Sequence, residues 1–106
     1  MATIEQFRQI QLKVAKIVEA KEHPNADKLL VLKIDTGDSQ KEIVAGIARH
    51  YAPAELVGKL IVVVDNLEPA TIRGVVSNGM LLAAKDGENL SLVQPERIVL
   101  PGAFVG

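Results

Sequence analysis

Lys59-Leu60-Ile61-Val62-Val63-Val64 is apolar without interruption after its lysine, and it is dominated by β-branched side chains. A strand buried on both faces reads this way. Asp65-Asn66-Leu67-Glu68-Pro69 then breaks the run. Just upstream, Ala52-Pro53-Ala54-Glu55-Leu56 puts a proline at a first helical position and Gly58 stops the segment, which predicts one helical turn leading into the strand.

Working outward, the other segments are also short and β-like. Leu12 to Ala20 alternates and then changes phase at Ile17, predicting a strand bent by a bulge near Ala15 and Lys16. Leu29 to Asp35 and Lys41 to Ala48 flank the turn signal Thr36-Gly37-Asp38-Ser39 and predict a hairpin. Ile72 to Val76 and Met80 to Ala84 flank Ser77-Asn78-Gly79, whose Asn-Gly pair signals a tight turn. Leu90 to Val93 and Ile98 to Leu100 follow Asp86-Gly87, and an apolar tail runs on through Val105. Thr3 and Gln6 have capping-box spacing, and Ile4, Phe7 and Ile10 recur at helical spacing, so a short helix is expected over Ile4 to Ile10. Short strands with frequent turns point to an all-β barrel or sandwich.

At 106 residues the chain is expected to be one domain spanning 1–106. It has no cysteine, which removes disulfides, thiolate metal sites and cysteine nucleophiles. Neither a secretory signal nor a membrane span is indicated, so no membrane partner is expected and the cytoplasm is the expected compartment. Twelve basic residues stand against thirteen acidic ones, so bulk positive charge cannot be what holds a nucleic acid. Phe7, Tyr51 and Phe104 are the whole aromatic inventory, which argues against a surface built on stacked bases. No phosphate loop, nucleophile elbow or HExxH run is present, so no catalytic residue is assigned. His23, His50 and Asp27 lack paired-ligand spacing, so neither a metal nor another cofactor is expected.

Four stretches in order, His23-Pro24-Asn25-Ala26-Asp27-Lys28-Leu29, Ile43-Val44-Ala45-Gly46-Ile47-Ala48, Leu56-Val57-Gly58-Lys59 and Ser77-Asn78-Gly79-Met80-Leu81-Leu82-Ala83-Ala84, closely resemble the tRNA-binding domain of the methionyl-tRNA synthetase C-terminal type. Free-standing dimeric tRNA-binding proteins look similar. The resemblance implies an OB-fold closed barrel with a short N-terminal helix and a C-terminal β extension. It also implies tRNA, a second copy of the chain and a methionyl-tRNA synthetase catalytic chain as partners.

OB-folds bind ligands on the face of their second and third strands, between the loops after strands one and four. His23 to Lys28 and Asn66 to Arg73 fall in those two loops. A-form RNA is recognised by shape, through donors to phosphates and 2′-hydroxyls. Lys28, Lys33, Arg49 and Arg73 are the expected cations, Arg73 foremost because a guanidinium can grip phosphate with two donors. Asn66, Ser77 and Asn78 are expected to add neutral hydrogen bonds, and Met80 a soft apolar contact. Each has a plainer reading: Arg73 as a solvated loop cation, Asn78-Gly79 as a structural turn, Met80 as core, Asn25 and Asp27 as caps on local amides. Many relatives carry a basic pair where this chain has Ala70 and Thr71. The expected affinity is therefore weak, with a log-log salt slope of about −2 to −4. Two other roles compete: dimerisation through the tail Leu100 to Val105 with Leu92 and Val93, and peptide binding as in the chaperone version of the fold.

Overall fold

The computed structural model describes residues 1–106. They fold in the order α1 (Ile4–Arg8), β1 (Leu12–Glu22), β2 (Leu30–Asp35), β3 (Gln40–Ala45), α2 (Pro53–Leu56), β4 (Leu60–Val64), β5 (Ala70–Ile72), β6 (Val75–Ser77), β7 (Met80–Leu81), β8 (Ala83–Asp86), β9 (Asn89–Leu92) and β10 (Phe104–Val105). All sheet pairing is antiparallel.

The main sheet runs β3-β2-β1-β4-β7. Period-two alternation fills its inside: Leu30, Leu32 and Ile34 on β2, Ile43 and Ala45 on β3, Ile61 and Val63 on β4, Ala15 and Ile17 on β1. Leu56 plugs one end from α2, and Leu81 and Leu92 complete the cluster. Val62 and Val64, on the other face of β4, are buried as well, as the continuous apolar run requires. Val62 N–H donates to the Val93 carbonyl at 3.1 Å and Leu82 N–H donates to the Val62 carbonyl at 3.0 Å, which lays both segments alongside β4.

Closure between β3 and the strand opposite is partly side-chain work. Val44 N–H donates to Ser77 Oγ at 2.9 Å, and Asn78 N–H to the Glu42 carbonyl at 2.9 Å. The result is the expected OB-type barrel, with α1 lying outside and burying none of its residues. The Thr3/Gln6 capping box is formed. Asn66 ties this helix to the barrel, accepting from Gln11 N–H at 2.8 Å and donating to the Gln9 carbonyl at 2.7 Å.

The C-terminal extension returns along β1. β10 pairs with Leu12 and Lys13, on the edge that β2 leaves free, since β4 occupies the other. Gly102 N–H donates to the Val14 carbonyl at 2.7 Å. Backbone meets backbone there: a Cβ on Gly102 would lie 2.8 Å from the Thr36 carbonyl oxygen, and one on Gly37 only 2.6 Å from that of Pro101. Both positions require glycine.

Three local expectations are corrected. The bulge in β1 falls between Ile17 and Glu19 rather than near Ala15 and Lys16, because Lys13 to Lys16 keep unbroken register with β4. Ile98 to Leu100 form no strand, and Ile98 and Leu100 stand exposed. The tight turn is not at Asn78-Gly79 but at Arg73-Gly74, which joins β5 to β6 with φ of 51° and 90°. Asn78-Gly79 is instead a kink along the closing strand, where a side chain on Gly79 would come within 3.0 Å of the Val64 carbonyl oxygen.

Candidate nucleic-acid interface

The loop after β1 begins with a buried histidine. His23 Nδ1 accepts from Asn25 N–H at 2.9 Å, so the ring proton sits on Nε2, which donates to the Ile72 carbonyl at 3.0 Å. Asn25 Nδ2 donates to the Arg73 carbonyl at 3.2 Å, and Arg73 Nη2 donates back to the Asn25 carbonyl at 3.2 Å. These bonds fasten the β1–β2 loop to the β5–β6 turn.

Fastening the two loops forms a cleft of about 470 Å³ lined by Asn25, Asp27, Lys28, Leu29, Arg49 and Arg73. Lys28, Arg49 and Arg73 are exposed, and none has a carboxylate within ion-pairing distance. The site thus gathers three of the four expected cations, from the first loop, the segment after β3 and the hairpin turn. Guanidinium and ammonium groups without carboxylate partners are suited to phosphate oxygens.

Lys33 is not in this cleft. It lies on the outer face of β2, in register with Glu19 on one side and Glu42 on the other. The row continues to Asn78, whose backbone N–H meets the Glu42 carbonyl. Met80, opposite Val64 on β7, keeps 48% of its surface exposed, so it is not part of the core. Ser77 and Asn66 use their side chains inside the molecule: Ser77 is buried, accepting from Val44 and donating to the Gly79 carbonyl at 3.0 Å, and Asn66 holds the segment after α1. Their hydrogen-bonding capacity goes to barrel closure and helix attachment.

Residues 12–103 match the family described as "Putative tRNA binding domain". The chain belongs to this tRNA-binding domain family. It is 50% identical over 101 residues to the methionine–tRNA ligase of Pyrococcus horikoshii, covering 95% of this chain and 14% of the ligase. With the methionine–tRNA ligase of Thermotoga maritima it shares 54% identity over 103 residues, or 97% of this chain and 16% of that protein. The chain therefore spans about one seventh of the length of these relatives. Among solved structures, a MetRS-related protein from Pyrococcus horikoshii superposes with a TM-score of 0.93 at 34% identity, covering 100% of this chain and 98% of the other. The CsaA chaperone of Picrophilus torridus superposes at 0.92 with 31% identity and full coverage of both chains.

Within this tRNA-binding domain, sequence reasoning missed the part played by His23 and Asn25. The available signal was a histidine inside a Pro-Asn loop, a place where solvated side chains are usual. Asn25 caps no local amide; it reaches across 48 positions to Arg73.

A second charged cluster has a different character. Asp65 is pinned by Lys13 at 3.1 Å and by Lys41 at 2.5 Å, with side-chain exposures of 13%, 13% and 22% respectively. The Lys41 ammonium also donates to the Asp65 carbonyl at 3.0 Å. Burial pushes the Asp65 carboxyl up, but hydrogen bonds and charge from Lys41 and Lys13 outweigh it and hold the group below the usual carboxylate range. The same hydrogen bond to Asp65 raises Lys13 above its ordinary value against the opposing effect of burial.

Proposed function

We propose that this domain is a non-catalytic tRNA-binding module that recognises the folded shape of tRNA rather than its sequence. It serves a methionyl-tRNA synthetase in the cytoplasm, as a C-terminal domain or separate subunit, by helping to capture tRNA. The observation that carries this reading is the cleft between the two fastened loops, where Lys28, Arg49 and Arg73 have no carboxylate partner. Phosphate contacts position an RNA without reading bases, which fits a site made of cations and backbone. Lys33, Asn78 and Met80 extend the track over the outer face, and Asn66 and Ser77 support its framework.

Dimerisation accompanies this role. Ile98, Leu100 and Phe104 are 94%, 81% and 79% exposed on an extension locked to β1 by backbone contacts, an apolar surface suited to a second copy. Light scattering checks it: a dimer is expected, and a strict monomer at high concentration rules it out.

A peptide-binding role is the second reading, favoured by the full-length superposition on a protein named as a chaperone. Competition between folded tRNA and an unfolded RNA of equal length separates the two. Folded tRNA is expected to win, and Arg73→Ala to remove its advantage. Equal binding of both RNAs, or peptide binding with no tRNA binding, contradicts the tRNA reading.

A further inference from the structure

Arg73 is the one non-glycine residue with positive φ, at 51°, and Gly74 follows at 90°. Both central residues of this tight turn are therefore left-handed, the type I′ geometry whose first position favours Asn, Asp or Gly. An arginine there is strained, and strain of this kind persists only where surrounding contacts fix it. The contacts are unusually complete. Its carbonyl accepts from Asn25 Nδ2, its guanidinium donates to the Asn25 carbonyl, and the preceding carbonyl of Ile72 accepts a hydrogen bond from His23 Nε2–H. His23 is 6% exposed and orients Asn25 through the 2.9 Å bond from Asn25 N–H to Nδ1. Gly74 suits the turn through its backbone, since a φ of 90° is one that side chains rarely adopt.

We propose that His23 and Asn25 are positioning residues: together they form a latch that holds Arg73 in its strained turn with its guanidinium fixed at the cleft. A phosphate of the bound RNA, on the tRNA-binding reading above, then meets a cation whose conformational freedom is already lost. Preorganisation of this kind raises affinity by reducing what must be ordered on binding. It also explains why a residue unfavourable for the turn occupies it: asparagine would relax the backbone but could not reach a phosphate with two charged donors.

The test combines ¹⁵N relaxation of the Arg73 Nε–H in the free 106-residue chain with tRNA affinity across salt, for wild type, Arg73→Ala, Arg73→Asn, Asn25→Ala, His23→Gln and the Asn25→Ala/Arg73→Ala double variant. In wild type the Nε–H order parameter is expected near the rigid-backbone value of about 0.85, falling below about 0.6 in Asn25→Ala. Arg73→Ala is expected to weaken tRNA binding about five- to tenfold and to reduce the salt slope by about 1. Asn25→Ala should reproduce most of that loss with the arginine still present, and the double variant should be no weaker than Arg73→Ala. His23→Gln, whose amide can still donate to Ile72, should retain most of the binding. Arg73→Asn should melt at or above the wild-type temperature while binding as poorly as Arg73→Ala, a pairing that a merely structural role does not produce. An Arg73 side chain already mobile in wild type, or additive losses in the double variant, overturns the latch. Absence of tRNA binding by the wild-type chain removes the tRNA reading alone, because the relaxation comparison decides the latch without RNA.

Discussion

Lys13 and Lys41 converge on a single carboxylate, Asp65, whereas Lys28, Arg49 and Arg73 line a cleft with no carboxylate in ion-pairing reach. The first group is largely buried and joins strand edges with the N-terminal segment, since Asp65 N–H also donates to the Gln11 carbonyl at 2.8 Å. The second is exposed and is organised by hydrogen bonds to backbone carbonyls between loops. In a chain of net charge −1, a positive site arises by leaving a few cations unpaired rather than by adding more. Pairing, more than number, separates cations that hold the fold from cations that can hold a ligand.

Removing both sides of this contrast should give opposite phenotypes. The largest expected effect is on binding: Lys28→Ala/Arg49→Ala/Arg73→Ala should lose at least about a hundredfold in tRNA affinity, while unfolding free energy falls by no more than about 1 kcal/mol, the loss of one exposed hydrogen bond between the loops. Filter binding and denaturant titration read the two quantities. Equal damage to both would erase the distinction.

Asp65→Ala should do the reverse, costing about 2–3 kcal/mol of stability because the largely buried Lys41 ammonium loses its counterion and Lys13 keeps only Asp38, at 4.0 Å. The salt slope of tRNA binding should be unchanged below its melting point. The linked pH effect has a definite sign. Because the folded carboxyl titrates below its unfolded value of about 3.9, the stabilisation is present above that pH and disappears as pH falls through the lower folded value. Thermal melts between neutral pH and about pH 3 should show a steeper acid decline in wild type than in Asp65→Asn. Lys13, shifted upward, adds stability that is complete below its unfolded value and is lost only in strong alkali, so it does not obscure the acid limb.

Ser77→Ala sharpens the comparison from the framework side. It leaves the buried Val44 N–H without its acceptor and should cost about 1–2 kcal/mol, with tRNA affinity little changed at temperatures where the barrel stays closed. The smallest effect is expected for Lys33→Ala, below about twofold in affinity, because Glu19 and Glu42 flank it and offset its charge toward an RNA. A loss as large as that of Arg73→Ala would instead draw the outer face of β2 into the main contact.

Alternation made most of the barrel legible in the sequence. Leu30, Leu32 and Ile34, then Ile43, Ala45 and Ile47, then the unbroken run ending at Val64 announce which side of each strand faces in, and the core follows that pattern. The β1–β2 loop could likewise be placed from its Pro, Asn and Asp. The β5–β6 turn could not, because an arginine in left-handed backbone contradicts local preference while Asn78-Gly79 offers a stronger turn signal nearby. Ser77 was equally hidden: a serine next to Asn-Gly resembles a solvated turn residue, and its burial depends on a partner 33 positions away. In the C-terminal tail, apolar composition suggested strand at Ile98 to Leu100, but only Phe104 and Val105 find a free edge on β1. Long-range hydrogen bonds, rather than local patterns, settle each of these places.

The most direct test is the salt dependence of folded-tRNA binding for the wild-type chain beside the Lys28→Ala/Arg49→Ala/Arg73→Ala variant. Three phosphate contacts predict a wild-type log-log slope of about −2 to −3 that collapses toward zero in the variant. An unchanged slope would place the phosphate contacts elsewhere and contradict the assignment of the cleft.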